Sequence, residues 1–190
     1  MLRRFLFTVG LLMNLLLSAT TSAAGELLVG TATADITPPI PVALAGQFEL
    51  RIARTLETPL TASVVAMESR EGEKSRDAAV MVSCDLIEIP VRVVTLVREE
   101  VQKRLAGLDP KKIVLNGTHT HTAPVLEPGQ YAIPHEGVTS VEEYTAFLVS
   151  RIAEAVTKAW NGRASASVAW GLSHAVVAFT SLPMNSNVGR

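Results

Sequence analysis

Hydrophobic and polar positions alternate in short blocks over the first half of the chain, then switch to a spacing of three and four. Glu26 to Ala34, Thr61 to Glu68 and Asp77 to Ser83 are rich in Val, Thr, Ala and Leu, which predicts three strands. Asp35-Ile-Thr-Pro-Pro-Ile-Pro41 ends the first. Its prolines cannot donate to a ladder, and Asp35 can accept from nearby backbone N–H groups in an Asx-type turn. The polar run Ser69 to Arg76, with Gly72 near its centre, predicts a hairpin turn between the second and third strands.

Pro90 opens a predicted helix whose packed stripe is Val94, Val97, Val101 and Leu105. Glu99 with Lys103 and Glu100 with Arg104 are i,i+4 pairs on its other side, and Gly107 and Pro110 end it. Lys112 to Asn116 is a compact strand, followed by a turn-rich stretch to Val138. A second helix starts at Ser140, with Glu143 in capping-box position. It buries Tyr144, Phe147, Leu148, Ile152, Ala155, Val156 and Ala159 and stops at Gly162. Ser165 to Phe179 holds a last strand around Ser167 to Gly171.

This order gives the α/β class: a mixed sheet with helices packed on it. The helix between the third and fourth strands suits a right-handed crossover, and in such sheets chemistry collects beyond the carboxyl ends of strands.

Met1 to Ala24 reads as a secretory signal peptide, with Arg3 and Arg4, an apolar run from Phe5 to Leu17, and small residues from Ser18 to Ala24. The apolar run falls short of the roughly 20 residues that span a bilayer, so the expectation is export to the periplasm or medium with no transmembrane segment left after cleavage. An uncleaved N-terminal anchor is the alternative.

Composition changes the picture in three ways. With 48% hydrophobic and 18% charged residues, the 190-residue chain has the makings of a folded domain. Its 17 Lys and Arg against 18 Asp and Glu, with no long basic run, argue against a nucleic-acid binder. The single cysteine excludes an internal disulfide and a four-cysteine zinc module. Cys84 ends the apolar run from Ala78 and precedes Asp85, which predicts a buried, inert thiol.

The candidate chemistry lies in Asn116-Gly-Thr-His-Thr-His-Thr-Ala-Pro124, directly after the fourth strand. On extended backbone His119 and His121 project to one face, and two imidazoles converging on one point suit zinc. Thr118, Thr120 and Thr122 alternate with them and are placed to hold the rings through their hydroxyls, and Gly117 allows a sharp turn. Metal sites need three or four ligands, so the other reading is a pair of surface histidines. Asp85, at the end of the third strand, reaches the same rim if that strand runs parallel to the fourth; it would orient an imidazole or serve as a turn aspartate. Arg51, Arg54 and Glu57 follow Gly46-Gln-Phe48 and are either solvated or in contact with substrate. His135 is a third ligand or, more simply, an exposed loop residue; His174 reads as structural.

Three segments resemble the neutral/alkaline non-lysosomal ceramidase family, in the order that family shows. They are Val29-Gly-Thr-Ala-Thr-Ala-Asp-Ile-Thr-Pro-Pro39, Val82-Ser-Cys-Asp-Leu86 and Thr118-His-Thr-His-Thr-Ala-Pro124, the last with Thr122 and Ala123 where the family has Ser and Gly. The resemblance covers Leu27 to Phe179 and implies the N-terminal part of a larger catalytic domain, followed by an irregular tail over residues 180–190. It also implies a zinc-dependent amidohydrolase of sphingolipid metabolism that splits the N-acyl amide of ceramide into sphingosine and fatty acid. His119 maps to a zinc ligand and His121 to the neighbouring histidine that binds substrate or the transition state. The family's other ligands, a His, a Glu and a Tyr, fall beyond residue 190, and Thr180 to Arg190 does not match the family's continuation. The expectation is therefore a fragment, or a truncated or frame-shifted product, that alone binds zinc weakly and hydrolyses little. A non-catalytic domain that keeps the fold, and another metal-dependent hydrolase or esterase using His119, His121 and Asp85, with or without His135, are the competing functions.

Overall fold

The computed structural model describes residues 25–174; the expected signal peptide, the end of the resemblance over residues 175–179 and the expected tail over residues 180–190 lie outside them. Five strands form one sheet in the order β6-β5-β4-β1-β7. They are β1 (Glu26–Asp35), β4 (Thr61–Glu71), β5 (Lys74–Cys84), β6 (Ile113–Gly117) and β7 (Ala164–Ser165). All pairs are antiparallel except β5 with β6, where a crossover through α1 (Val91–Arg104) makes the strands parallel. β2 (Val42–Leu44) and β3 (Arg51–Ala53) form a separate small hairpin.

Alternation decides which face is buried. Ala62, Val64, Ala66, Val80 and Val82 point into one core, where they meet α1 and α2 (Val141–Asn161). Among the described residues nothing covers the other face: Val65, Met81 and Val114 stand opposite one another across three strands and are exposed. Among the described residues no helix is long and apolar enough to cross a membrane.

Several expected boundaries move. The eight-residue turn shrinks to Gly72 and Glu73, because Gly72 takes a φ of 58° and lets Glu71 pair with Lys74. The polar residues on either side join the ladder, with an irregularity at Ser69 and Arg70. In α1 the buried residues are Val93, Val97 and Val101, with Val94 half-buried at the edge. Lys103 pairs with Glu100 at 3.1 Å and Arg104 with the same carboxylate at 3.0 Å, in place of a Glu99–Lys103 pair. Lys112 belongs to a short 3₁₀ turn, Pro110–Lys112, capped by Asp109, so β6 starts one residue later.

The expected strand around Ser167 to Gly171 is absent from any ladder. Ser165 pairs with Leu28 and Ala166 donates to the Leu27 carbonyl, so an antiparallel continuation runs past the start of β1 at Glu26. Val168, Trp170 and Leu172 are left exposed.

Two local expectations hold. Asp35 Oδ1 accepts from the Thr37 N–H at 2.8 Å, the Asx turn. The Ser140–Glu143 capping box is complete and starts α2. That helix is tied to the far end of the chain by the Tyr144 hydroxyl, which donates to the buried Ile36 carbonyl at 2.9 Å. Tyr144→Phe strips that carbonyl of its donor and is expected to cost about 1–3 kcal/mol. Urea denaturation checks this through a lower midpoint at unchanged slope.

Candidate functional site

The parallel pairing of β5 and β6 carries both strand ends to one rim and continues into the loops beyond them. Thr118 N–H donates to the Cys84 carbonyl and His119 N–H to the Leu86 carbonyl, each at 2.9 Å. Gly117 permits this approach, since a Cβ there would lie 2.6 Å from the Leu86 oxygen. The chain then leaves strand geometry. His119 has a φ of 65°, so the expected projection of residues i and i+2 to one face of a strand does not apply. The two rings meet all the same, edge to face, with centroids 5.1 Å apart, and both residues are exposed.

His119 Nδ1 lies 2.9 Å from the Ile87 carbonyl oxygen. A carbonyl only accepts, so Nδ1–H is the donor, and in the neutral ring the lone pair for a ligand is on Nε2. This backbone oxygen, and no threonine, fixes the ring. The Thr118 hydroxyl goes to Asp85 at 3.4 Å, and Thr120 and Thr122 bond each other at 3.0 Å. Asp85 sits at the rim as expected. Its Oδ2 accepts from the N–H and hydroxyl of Thr61 at 2.9 and 2.8 Å, and its Oδ1 from Thr118, so it braces the segment that carries the histidines.

Residues 43–47 hold His121 from the other side. Ala45 N–H donates to the Ala123 carbonyl at 2.9 Å and Val125 N–H to the Ala43 carbonyl at 3.0 Å, over a small core of Ala43, Ala45, Val125 and Val141. The Tyr131 hydroxyl ties down the Gln47 carbonyl. Arg51 Nη2 donates to the Ala45 carbonyl at 3.1 Å and also to the His121 carbonyl. The sequence offered Gly46 as a loop residue and Arg51 as solvated or in contact with substrate; instead Arg51 bonds the chain's own backbone.

Among the described residues no three His, Cys, Asp or Glu side chains come together to hold a metal. His135 is exposed and lines a separate hollow with Tyr131 and Glu142; His174 is exposed as well. Cys84 is buried, and burial together with the adjacent Asp85 carboxylate pushes its thiol up to about 12, in keeping with an inert sulfur. The donor set therefore fits zinc in kind, with one imidazole lone pair oriented beside a second ring, and offers at most two of the three or four ligands such an ion takes.

A groove of about 490 Å³ adjoins the histidine loop. Ile40, Val42, Leu44, Ile52 and Leu56 line it, and Thr122 and Pro124 complete its wall next to His121.

No protein-family model and no curated protein matches the sequence. Solved structures do match. A neutral ceramidase from Pseudomonas aeruginosa aligns with a TM-score of 0.62 at 21% identity, over 75% of this chain and 22% of that one. A ceramidase complexed with C2 aligns with a TM-score of 0.61 at 22% identity, over the same shares. At these identities the likeness establishes the fold: a mixed α/β domain of ceramidase type. The chain spans about a fifth of the length of either structure.

Proposed function

We propose that this chain carries the histidine-pair portion of an exported, zinc-dependent, ceramidase-like hydrolase acting on the N-acyl amide of a lipid such as ceramide. The observation that carries this reading is the His119 imidazole, locked by the Ile87 carbonyl with Nε2 free and set 5.1 Å from His121, in a fold shared with ceramidases. His119 would hold the ion through Nε2. His121, beside it, would be a second ligand of the ion, or would bind the substrate carbonyl and support the transition state. Asp85 would keep the loop in place through Thr118. The apolar side of the groove next to Thr122, which Arg54 and Glu57 also line, would take a hydrocarbon chain and leave its amide toward the imidazoles. When bound, zinc lowers the pKa of a bound water to about 7 and polarises a carbonyl. The leader Met1 to Ala24 would export the chain.

Zinc uptake by the purified full chain, read by metal analysis and cobalt absorbance, tests the reading. Two imidazoles should bind zinc weakly, and His119→Ala should weaken binding at least about tenfold further. Equal uptake by parent and variant would refute His119 as a ligand. With zinc in excess, slow release of fatty acid from a fluorescent ceramide supports the amidase. Faster cleavage of a simple ester points to an esterase, and no zinc uptake at all to a non-catalytic domain.

A further inference from the structure

We infer that Arg51 is a positioning residue for His121: with Gly46 it forms a clasp by which the β2–β3 hairpin fixes the second imidazole of the pair. The inference rests on the proposed role of that pair, but the clasp is geometry of its own. A single guanidinium nitrogen joins two strands of chain, since Arg51 Nη2 donates both to the Ala45 carbonyl and to the carbonyl of His121, 70 residues away. Two acceptors on one charged donor pin the His121 backbone to the hairpin. The Arg51 Nε–H is buried and has no hydrogen-bond partner among the described residues, so the guanidinium directs its charge at these two carbonyls through Nη2.

Gly46 completes the grip on the ring. Its φ of +89° suits glycine, and a Cβ there would stand 2.7 Å from Cγ and 2.9 Å from Nδ1 of His121. The imidazole therefore lies directly against the glycine backbone. His119, by contrast, is oriented by the loop after β5 through the Ile87 carbonyl. The two rings are thus set by different parts of the chain, and disturbing the hairpin should move one and leave the other.

The test uses the full chain labelled at histidine, with imidazole NMR spectra and zinc titration of Arg51→Met, Arg51→Lys and Gly46→Ala. Arg51→Met should shift or broaden the His121 ring signals, leave those of His119 in place, and weaken zinc binding about tenfold, the low end for groups that orient metal ligands. Arg51→Lys, which can still meet one carbonyl, should recover most of both. Gly46→Ala, whose Cβ would also stand 2.9 Å from Ile87 Cδ1, should disturb the His121 signals more than those of His119 and serves where Arg51→Met fails to fold. A parent chain that takes up no zinc refutes the proposed metal reading, while the ring signals still decide the clasp. Unchanged His121 signals in folded Arg51→Met, or equal changes at both rings, would overturn it.

Discussion

Glu68→Ala should destabilise the fold by about 3–5 kcal/mol, the usual loss when one partner of a buried ion pair is removed. Glu68 lies on the helix-covered face of β4 and is 3% exposed. Its Oε2 accepts from Arg163 Nη2 at 3.0 Å, just beyond the C-terminus of α2. Arg70 Nε lies 3.1 Å from the same oxygen but off the hydrogen-bond axis, so it acts there as a charge. Arg163 also stacks on Trp160 at 3.4 Å. Without the carboxylate, Arg163 keeps its burial and loses its counter-charge; burial already presses its guanidinium toward the neutral form. Burial alone would raise the Glu68 carboxyl, but the Ser75 hydroxyl and the two arginines outweigh it and hold the group below its ordinary range. The sign follows. A carboxyl held lower in the folded state contributes stability that is present above its unfolded pKa, near 4.5, and lost as pH falls through the lower folded value. Chemical denaturation at neutral pH and in acid should show the parent weakening in that window and Glu68→Gln weakening less. A neutral-pH loss under about 1 kcal/mol for Glu68→Ala would place the pair among ordinary surface ion pairs.

Gly30→Ala should cost at least about 3 kcal/mol, the upper end for overpacking. Alanine is ordinarily better than glycine inside a strand by about 0.5–1 kcal/mol, so propensity predicts the opposite sign. The surroundings decide against it. Gly30 sits mid-strand in β1, opposite Ala66, and a Cβ there would stand 2.0 Å from the Ala159 carbonyl and 3.0 Å from the Arg163 N–H. Both are backbone atoms, so the last turns of α2 would have to lift, taking Arg163 away from Glu68. Hydrogen exchange should report this as lost protection over residues 155–163 together with a lower urea midpoint. Because both substitutions strike one joint, their combined cost should fall short of the sum. A neutral or stabilising Gly30→Ala would mean that the helix seats more loosely than its contacts imply.

What the sequence made legible was local. The Ser140–Glu143 box lies within four residues, and the apolar stripe of α2 runs without interruption, so its start and buried face could be read directly. The Val91, Val93, Val94, Val97 cluster fits more than one helical phase, and packing chose Val93 over Val94. Ser167 to Gly171 alternates like a strand, but strands need a neighbour, and β1 had run out. At the site, the spacing of His119 and His121 forecast that the rings would meet. It did not forecast how, because the φ of 65° and the Ile87 carbonyl leave no mark on side-chain pattern. Gly46 and Arg51 were out of reach for another reason: their partner lies some 70 residues on, and only the folded chain brings them together.

The contact between α2 and the amino-terminal strand also sets a timetable for biosynthesis. The helix that seals β1 spans Val141–Asn161, and its tyrosine reaches back to Ile36, 108 positions earlier. On a ribosome adding about 5–20 residues per second, β1 and β4 therefore emerge on the order of ten seconds before the helix that covers them. Through that interval the face that α2 will seal lacks its cover and meets water, or a chaperone.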